Sequence, residues 1–205
     1  MDFKLLNVSG MEEALYGLGL SFGKTKGLTP QQSYDIMLDR ANKNSDLGLG
    51  HNKFLESIIV WIEVTASRAF WSEMDTYRLM TKQSDSTMHT LFKDCDTESE
   101  TRLKVWKTLE YVFIPELLSH NIDSYYTMFA SLIEKIKQSD MTEVEKINIA
   151  KMLLPEGWQQ TRVLCVSYKT LQNIYAQRKS HKLYEWRWFC NKLKELPNAN
   201  WIVGE

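Results

Sequence analysis

The side chains best suited to chemistry in this chain are three cysteines, four histidines, and a run of hydroxyl, amide and basic groups at residues 77–89. The cysteines Cys95, Cys165 and Cys190 are odd in number, and no two stand at CxxC or zinc-finger spacing. They read as reduced, mostly buried thiols rather than a disulfide framework. A nucleophilic thiol needs a base or an electropositive pocket. Lys192 lies near Cys190, but on a charged stretch where its ammonium faces water. His51, His89, His120 and His181 are scattered, and none pairs with a second ligand at i, i+4, so no metal site is visible. Neither GxGxxG nor a GxxxxGK loop occurs, which removes the Rossmann and P-loop designs for binding nucleotide. What remains is YRLMTKQSDSTMH at 77–89, polar and without a clean period, directly after the best strand and a short helix. Irregular polar segments on a rigid scaffold are where sites are built.

The elements that must position this segment can be read on either side of it. ESIIVWIEVT at 56–65 is dense in β-branched and aromatic residues and predicts a strand. Residues 67–76 predict a short helix. Upstream, a first strand is followed by a helix over 12–19 and a loop, and Thr29-Pro30 opens a helix to about residue 42, with Thr29 as N-cap and Pro30 at the first helical position. Downstream, residues 98–196 read as helical throughout: 103–113 by apolar spacing, 122–137 by the same pattern, and Thr142 with Glu145 as a capping box for a helix ending before Pro155. Thr161 is expected to cap a further helix to Arg178, and 181–196 forms the last. The fold class is therefore α+β, a single domain over 1–205 with a small antiparallel-type sheet and a helical C-terminal half.

Composition bounds the partners. Hydrophobic residues make up 43% of 205, charged residues 25%, and the net charge is -1. There is no basic excess to hold nucleic acid through its phosphates, so any anion site must be local. No run of ~18 apolar residues offers a membrane span, and the N-terminus lacks a signal-peptide pattern; the expected compartment is the cytoplasm.

Two collinear segments resemble the flavin-dependent thymidylate synthases. That family opens with a His-x-x-x-Phe-Glu-like motif, then a strand, a short helix, and the signature Arg-His-Arg-x-x-Ser-x-Asn-Glu-x-Ser-x-Arg-Tyr. Here HNKFLESI keeps His51 and Glu56, and the signature reads TYRLMTKQSDSTMH at the matching distance. Arg78 fits the third basic residue, Thr81 stands for Ser, and Ser86 fits the second Ser. Thr76 and Tyr77 stand where the family has Arg and His, Gln83 and Ser84 for Asn and Glu, Met88 and His89 for Arg-Tyr, and Glu73 for an upstream Gln. The second segment is residues 151–187: KMLLP with Lys151 for an Arg, then Thr161, then Gln177-Arg178 at a helix end, then HKLYEWR with His181, Glu185 and Arg187. GLGLSFGK adds a weaker match through Ser21.

The resemblance implies a methyltransferase of nucleotide biosynthesis that methylates, or otherwise adds one carbon to, a deoxypyrimidine monophosphate such as dUMP, which the family converts to dTMP, taking the carbon from methylenetetrahydrofolate and the hydride from FAD reduced by NADPH. By the same resemblance, Arg178 and Ser86 are the catalytic candidates; Ser21, His51, Arg78, Tyr77, Gln83 and Ser84 face FAD; and Glu73, Ser86, Lys151 and Arg178 bind the pyrimidine deoxynucleotide. A homotetramer with shared FAD is implied, with Trp186, Trp188 and Phe189 of the last helix either drawn into its interface or simply filling the core. Replacing Arg-His by Thr76-Tyr77, and Arg by Met88, removes charge that Arg68, Lys82 or Arg187 would have to resupply. The alternative is a catalytically degenerate relative that binds nucleotide or a protein partner through the same scaffold.

Overall fold

The computed structural model describes residues 1–46, 50–93 and 116–204, with side chains in the last stretch described from residue 121. The helix expected over 103–113, and Cys95, lie outside the described residues. In order the elements are β1 (Asp2–Ser9), α1 (Met11–Leu20), α2 (Pro30–Ser45), a 3-10 turn (Lys53–Glu56), β2 (Ile59–Ser67), α3 (Arg68–Met74), β3 (Met80–Ser84), α4 (Thr87–Thr90), α5 (Glu116–Gln138), α6 (Glu143–Leu153), β4 (Gln159–Ser167), α7 (Tyr168–Arg178), α8 (Tyr184–Leu193) and α9 (Asn200–Val203).

The four strands form one sheet in the order β1-β2-β4-β3. β2 and β4 run antiparallel: Tyr168 N–H donates to the Ile58 carbonyl at 2.9 Å, and Arg68 N–H to the Trp158 carbonyl at 3.0 Å, both on the same register. β2 alternates as its sequence requires, with Val60, Ile62, Val64 and Ala66 fully buried and the intervening side chains partly so. Each of these two strands ends in a serine that caps the next helix. Ser67 Oγ accepts from Phe70 N–H and Ser167 Oγ from Thr170 N–H, both at 3.2 Å.

Two readings of the sequence are corrected here. Thr161 does not cap a helix; it lies inside β4, and α7 is capped six residues later by Ser167. The polar start of β4, Gln-Gln-Thr-Arg, hides the apolar alternation of Leu164 and Val166. Residues 77–89 are not irregular throughout: β3 takes up Met80–Ser84. The capping boxes at Thr29 and Thr142 form as expected.

The described chain divides into two compact units, one of residues 65–75 and 84–162 with Met1, the other of residues 2–64, 76–83 and 163–205. In the first, α5 presents Tyr126, Phe129, Ile133 and Ile136 at three- and four-residue spacing to Leu91, Ala150, Leu154 and Trp158. In the second, Trp186, Phe189 and Leu193 of α8 are fully buried with Leu171 and Ile174 of α7. Trp186 and Phe189 are therefore core, not interface. Only Trp188 of that trio keeps partial exposure, edge-on to Phe3 at 6.4 Å.

Candidate active site

The first unit holds a cavity of about 340 Å³ lined by Arg68, Ser84, Asp85, Ser86, Thr87, Lys151, Leu154 and Gln160. Four elements converge on it. Arg68 is the first residue of α3, Lys151 stands in the last turn of α6, Gln160 is the second residue of β4, and the run 84–87 joins β3 to α4. Leu154 ties one wall to the apolar cluster. Arg68 is fixed at the rim by donating Nη1–H to the Leu154 carbonyl at 3.2 Å, with Nη2 3.6 Å from Glu156. The acid on the lining, Asp85, takes the Thr161 N–H on its Oδ1 at 3.2 Å and gives its own N–H to the Thr161 carbonyl. Two cations, three hydroxyls and an amide around a small volume suit an anion that needs several donors, such as a phosphomonoester.

Beside this cavity, Arg162 of β4 lies over the Trp71 ring, its guanidinium carbon 4.6 Å from the centroid. Its Nη1 contacts both Asp75 carboxylate oxygens, at 2.9 and 3.1 Å, and its Nη2 donates to Gln160 Oε1 at 3.2 Å. Trp71 Nε1–H donates to the Gln160 carbonyl at 2.9 Å.

The second unit holds Arg178, the last residue of α7. Its Nε–H donates to the Tyr77 phenolic oxygen at 2.9 Å, and the Tyr77 hydroxyl donates to Gln177 Oε1 at 2.9 Å. The guanidinium carbon stands 4.6 Å from the Trp186 ring centroid and 5.6 Å from that of Tyr77. An arginine held on two aromatic faces keeps its planar fork in one orientation. Cys190 is buried in this unit; burial pushes its thiol up to about 12 although the Arg178 charge pulls the other way.

A second cavity, about 280 Å³, lies in the same unit among Asn52, Lys169, Gln172, Asn173, Tyr175 and Lys179, with the end of α9. Gln172 is its fixed wall. Nε2 donates to the Ser45 and Trp201 carbonyls, while Oε1 accepts from Asn52 and from Lys169 Nζ at 3.0 Å.

The cavity in the first unit gathers Ser84, Ser86 and Lys151 from the residues the sequence singled out. Glu73 is partly buried on α3 and does not line it. Ser21, His51, Arg78 and Gln83 are exposed and line neither cavity, though Asn52, beside His51, lines that of the second unit. Thr76 and Met88 are exposed too. Of the three cations weighed as replacements, Arg68 reaches a cavity. Lys82 is turned to the Tyr77 carbonyl, and Arg187 to the carbonyls of His181 and Lys182. Sequence reasoning missed Gln160, Thr87, Lys169 and Asn173. One signal was available: Arg68 and Lys169 both sit in the first turn of a helix, where a cation opposes the helix dipole and calls for another reason to be there. Among the described residues no cluster of side chains suits a metal ion.

The family model described as Thy1, thymidylate synthase complementing protein, matches residues 29–199. This chain belongs to that family. The fold agrees with its solved members. The Thy1 chain is similar to the flavin-dependent thymidylate synthase ThyX of Helicobacter pylori, in a crystal structure with FAD and dUMP, at TM-score 0.72 and 15% identity, covering 100% of this chain and 98% of that one. A second structure of the same Helicobacter enzyme with FAD and dUMP gives TM-score 0.71 with the same identity and coverage. No curated protein matches. The α+β fold and the family expected of the sequence are both borne out.

Proposed function

We propose that this Thy1 family chain is a flavin-dependent thymidylate synthase-like enzyme. It binds a deoxypyrimidine monophosphate such as dUMP and methylates it, with FAD as resident cofactor and NADPH and methylenetetrahydrofolate as co-substrates. The observation that carries this reading is the cavity that joins Ser84, Ser86 and Lys151, three positions matched to the family's site, with Arg68. Arg68 supplies the guanidinium that Met88 no longer offers. Lys151 adds a point charge, and Ser86 and Thr87 add hydroxyl donors to a phosphate. Arg178, held by Tyr77 and Trp186, hydrogen-bonds the pyrimidine carbonyls and stabilises charge that develops on the ring. Glu73 is read as a substrate contact on α3.

The cavity of the second unit fits part of FAD. Lys169 and Lys179 supply charge for a pyrophosphate, Asn173 an amide, and the volume suits that segment and an adjoining sugar rather than a whole dinucleotide. When bound, FAD supplies the hydride chemistry, and the protein supplies position and electrostatics. The exposure of Ser21, His51, Arg78 and Gln83 supports a cofactor site completed by another copy, as in a homotetramer. Exposed Met128, Val144 and Met152 on α5 and α6 are consistent with such association. The chain is read as one domain, a reading supported by a structural match along its whole length. It is read as cytoplasmic; no described helix is long and apolar enough to cross a membrane.

The test is an absorption spectrum of purified protein with added FAD, followed by titration with dUMP and dCMP. A bound flavin whose spectrum responds to dUMP is the expected result. Protein that takes up neither flavin nor nucleotide overturns the proposal.

A further inference from the structure

Gln160 stands in the wall of the cavity in the first unit with one end of its amide already committed. Its neighbour, Arg162 Nη2, is 3.2 Å away. A guanidinium can only donate, so the end of the amide facing it must be the oxygen. The NH₂ end is thereby turned away from Arg162, and it has no hydrogen-bond partner among the described residues. The bracket behind it is firm. Arg162 contacts both oxygens of Asp75, lies on Trp71, and has a side chain only 15% exposed. Trp71 also holds the Gln160 carbonyl. The amide therefore cannot flip without setting its NH₂ against an Arg162 N–H, two donors face to face, and taking this acceptor from Nη2.

We infer that Gln160 is a further ligand-binding residue, donating an oriented amide N–H to the phosphate of the bound nucleotide, and that Arg162 and Asp75 are its positioning residues. The inference rests on the nucleotide reading above and adds to it a donor on β4. The other cavity-lining groups explain why the acceptor is a phosphate. Arg68, Lys151, Ser86 and Thr87 already surround the same volume with cations and hydroxyls, and Asp85 Oδ1 is occupied by the Thr161 N–H. A phosphate has more acceptor positions than two cations fill, and a neutral donor adds a hydrogen bond at no cost in charge.

The experiment is equilibrium binding of dUMP and of deoxyuridine, which lacks the phosphate, to the wild-type holoprotein and to Gln160→Met and Gln160→Glu. Met keeps the length of the side chain and removes the donor. Glu keeps the contact with Arg162 and turns an acceptor toward the ligand. The expected result is dUMP affinity lower by roughly tenfold in Gln160→Met and further reduced in Gln160→Glu, the loss appropriate to a hydrogen bond to a charged group. Deoxyuridine affinity should be unchanged. Thermal melting of each variant verifies folding, and Gln160→Glu, which retains the Arg162 contact, is the variant to read if Gln160→Met does not fold. If dUMP binds both variants as it binds the wild type, the inference is overturned while the nucleotide reading stands. An equal loss for dUMP and deoxyuridine overturns the phosphate assignment. If the wild type binds no dUMP, the proposed function falls and this inference with it.

Discussion

The phenolic oxygen of Tyr77 lies 2.9 Å from Nε of Arg178, a residue 101 positions later in the chain. The bond joins the segment before β3 to the end of α7, and the guanidinium carbon lies over the Trp186 ring, 4.6 Å from its centroid. Tyr77 stands where the family signature carries His, so the substitution exchanges an ionisable ring for a neutral hydroxyl that holds an arginine. Tyr77→Phe keeps the ring and removes this hydrogen bond. On the role proposed for Arg178, the expected outcome is a fall in kcat on the order of tenfold with a smaller change in the KM for nucleotide. Steady-state kinetics checks it; an unchanged kcat would show that Arg178 needs no such tether.

Arg68→Ala and Lys151→Ala each remove a cation from the cavity in the first unit. Each is expected to weaken dUMP binding by about tenfold to a hundredfold. Arg68→Lys should recover only part of the loss, since an ammonium has no planar fork. Calorimetric titration at two salt concentrations reads both effects.

Lys169→Ala should lower FAD occupancy. Gln172 keeps its anchors to Asn52, Ser45 and Trp201, so the wall of the second unit's cavity survives the change. The visible flavin absorption of purified protein is the measurement, and full retention of flavin would remove Lys169 from the cofactor site.

Cys190 is predicted to resist alkylation at pH 8, while partly exposed Cys165 reacts. Burial raises the Cys190 thiol from 9.0 to about 12, so the fold favours the protonated form. The sign follows: this contribution to stability is complete below pH 9.0 and is lost as the pH rises from there toward about 12. Peptide mass spectrometry after timed iodoacetamide treatment separates the two thiols.

Thr29→Ala should cost about 1 kcal/mol of stability. The Thr29 hydroxyl accepts the Gln32 N–H at 3.2 Å, and this half of the cap is lost; the backbone N–H of residue 29, which donates to Gln32 Oε1 at 2.9 Å, remains. Thermal denaturation checks the change.

Much of the fold was legible because its signals are local. Thr29-Pro30, Thr142 with Glu145, and the alternation of β2 each depend on a few adjacent side chains, and each forms as read. β4 failed for a reason tied to the site. Its first residues are polar because Gln160 lines a cavity and Arg162 braces it, and those residues break the apolar pattern by which an inner strand is recognised.

By itself the sequence determined the α+β class, the family, and the residue types of a candidate site, because motif spacing survives even where individual signature residues have changed. Only the tertiary structure decided which of those residues meet. It brought Ser84, Ser86 and Lys151 to one cavity, added Arg68 and Gln160 to them, and left Ser21, His51, Arg78 and Gln83 on the surface. The physical reason is that a cavity wall is set by strand pairing and helix packing between residues as much as 92 positions apart, as Arg68 and Gln160 are, and no local pattern encodes that distance.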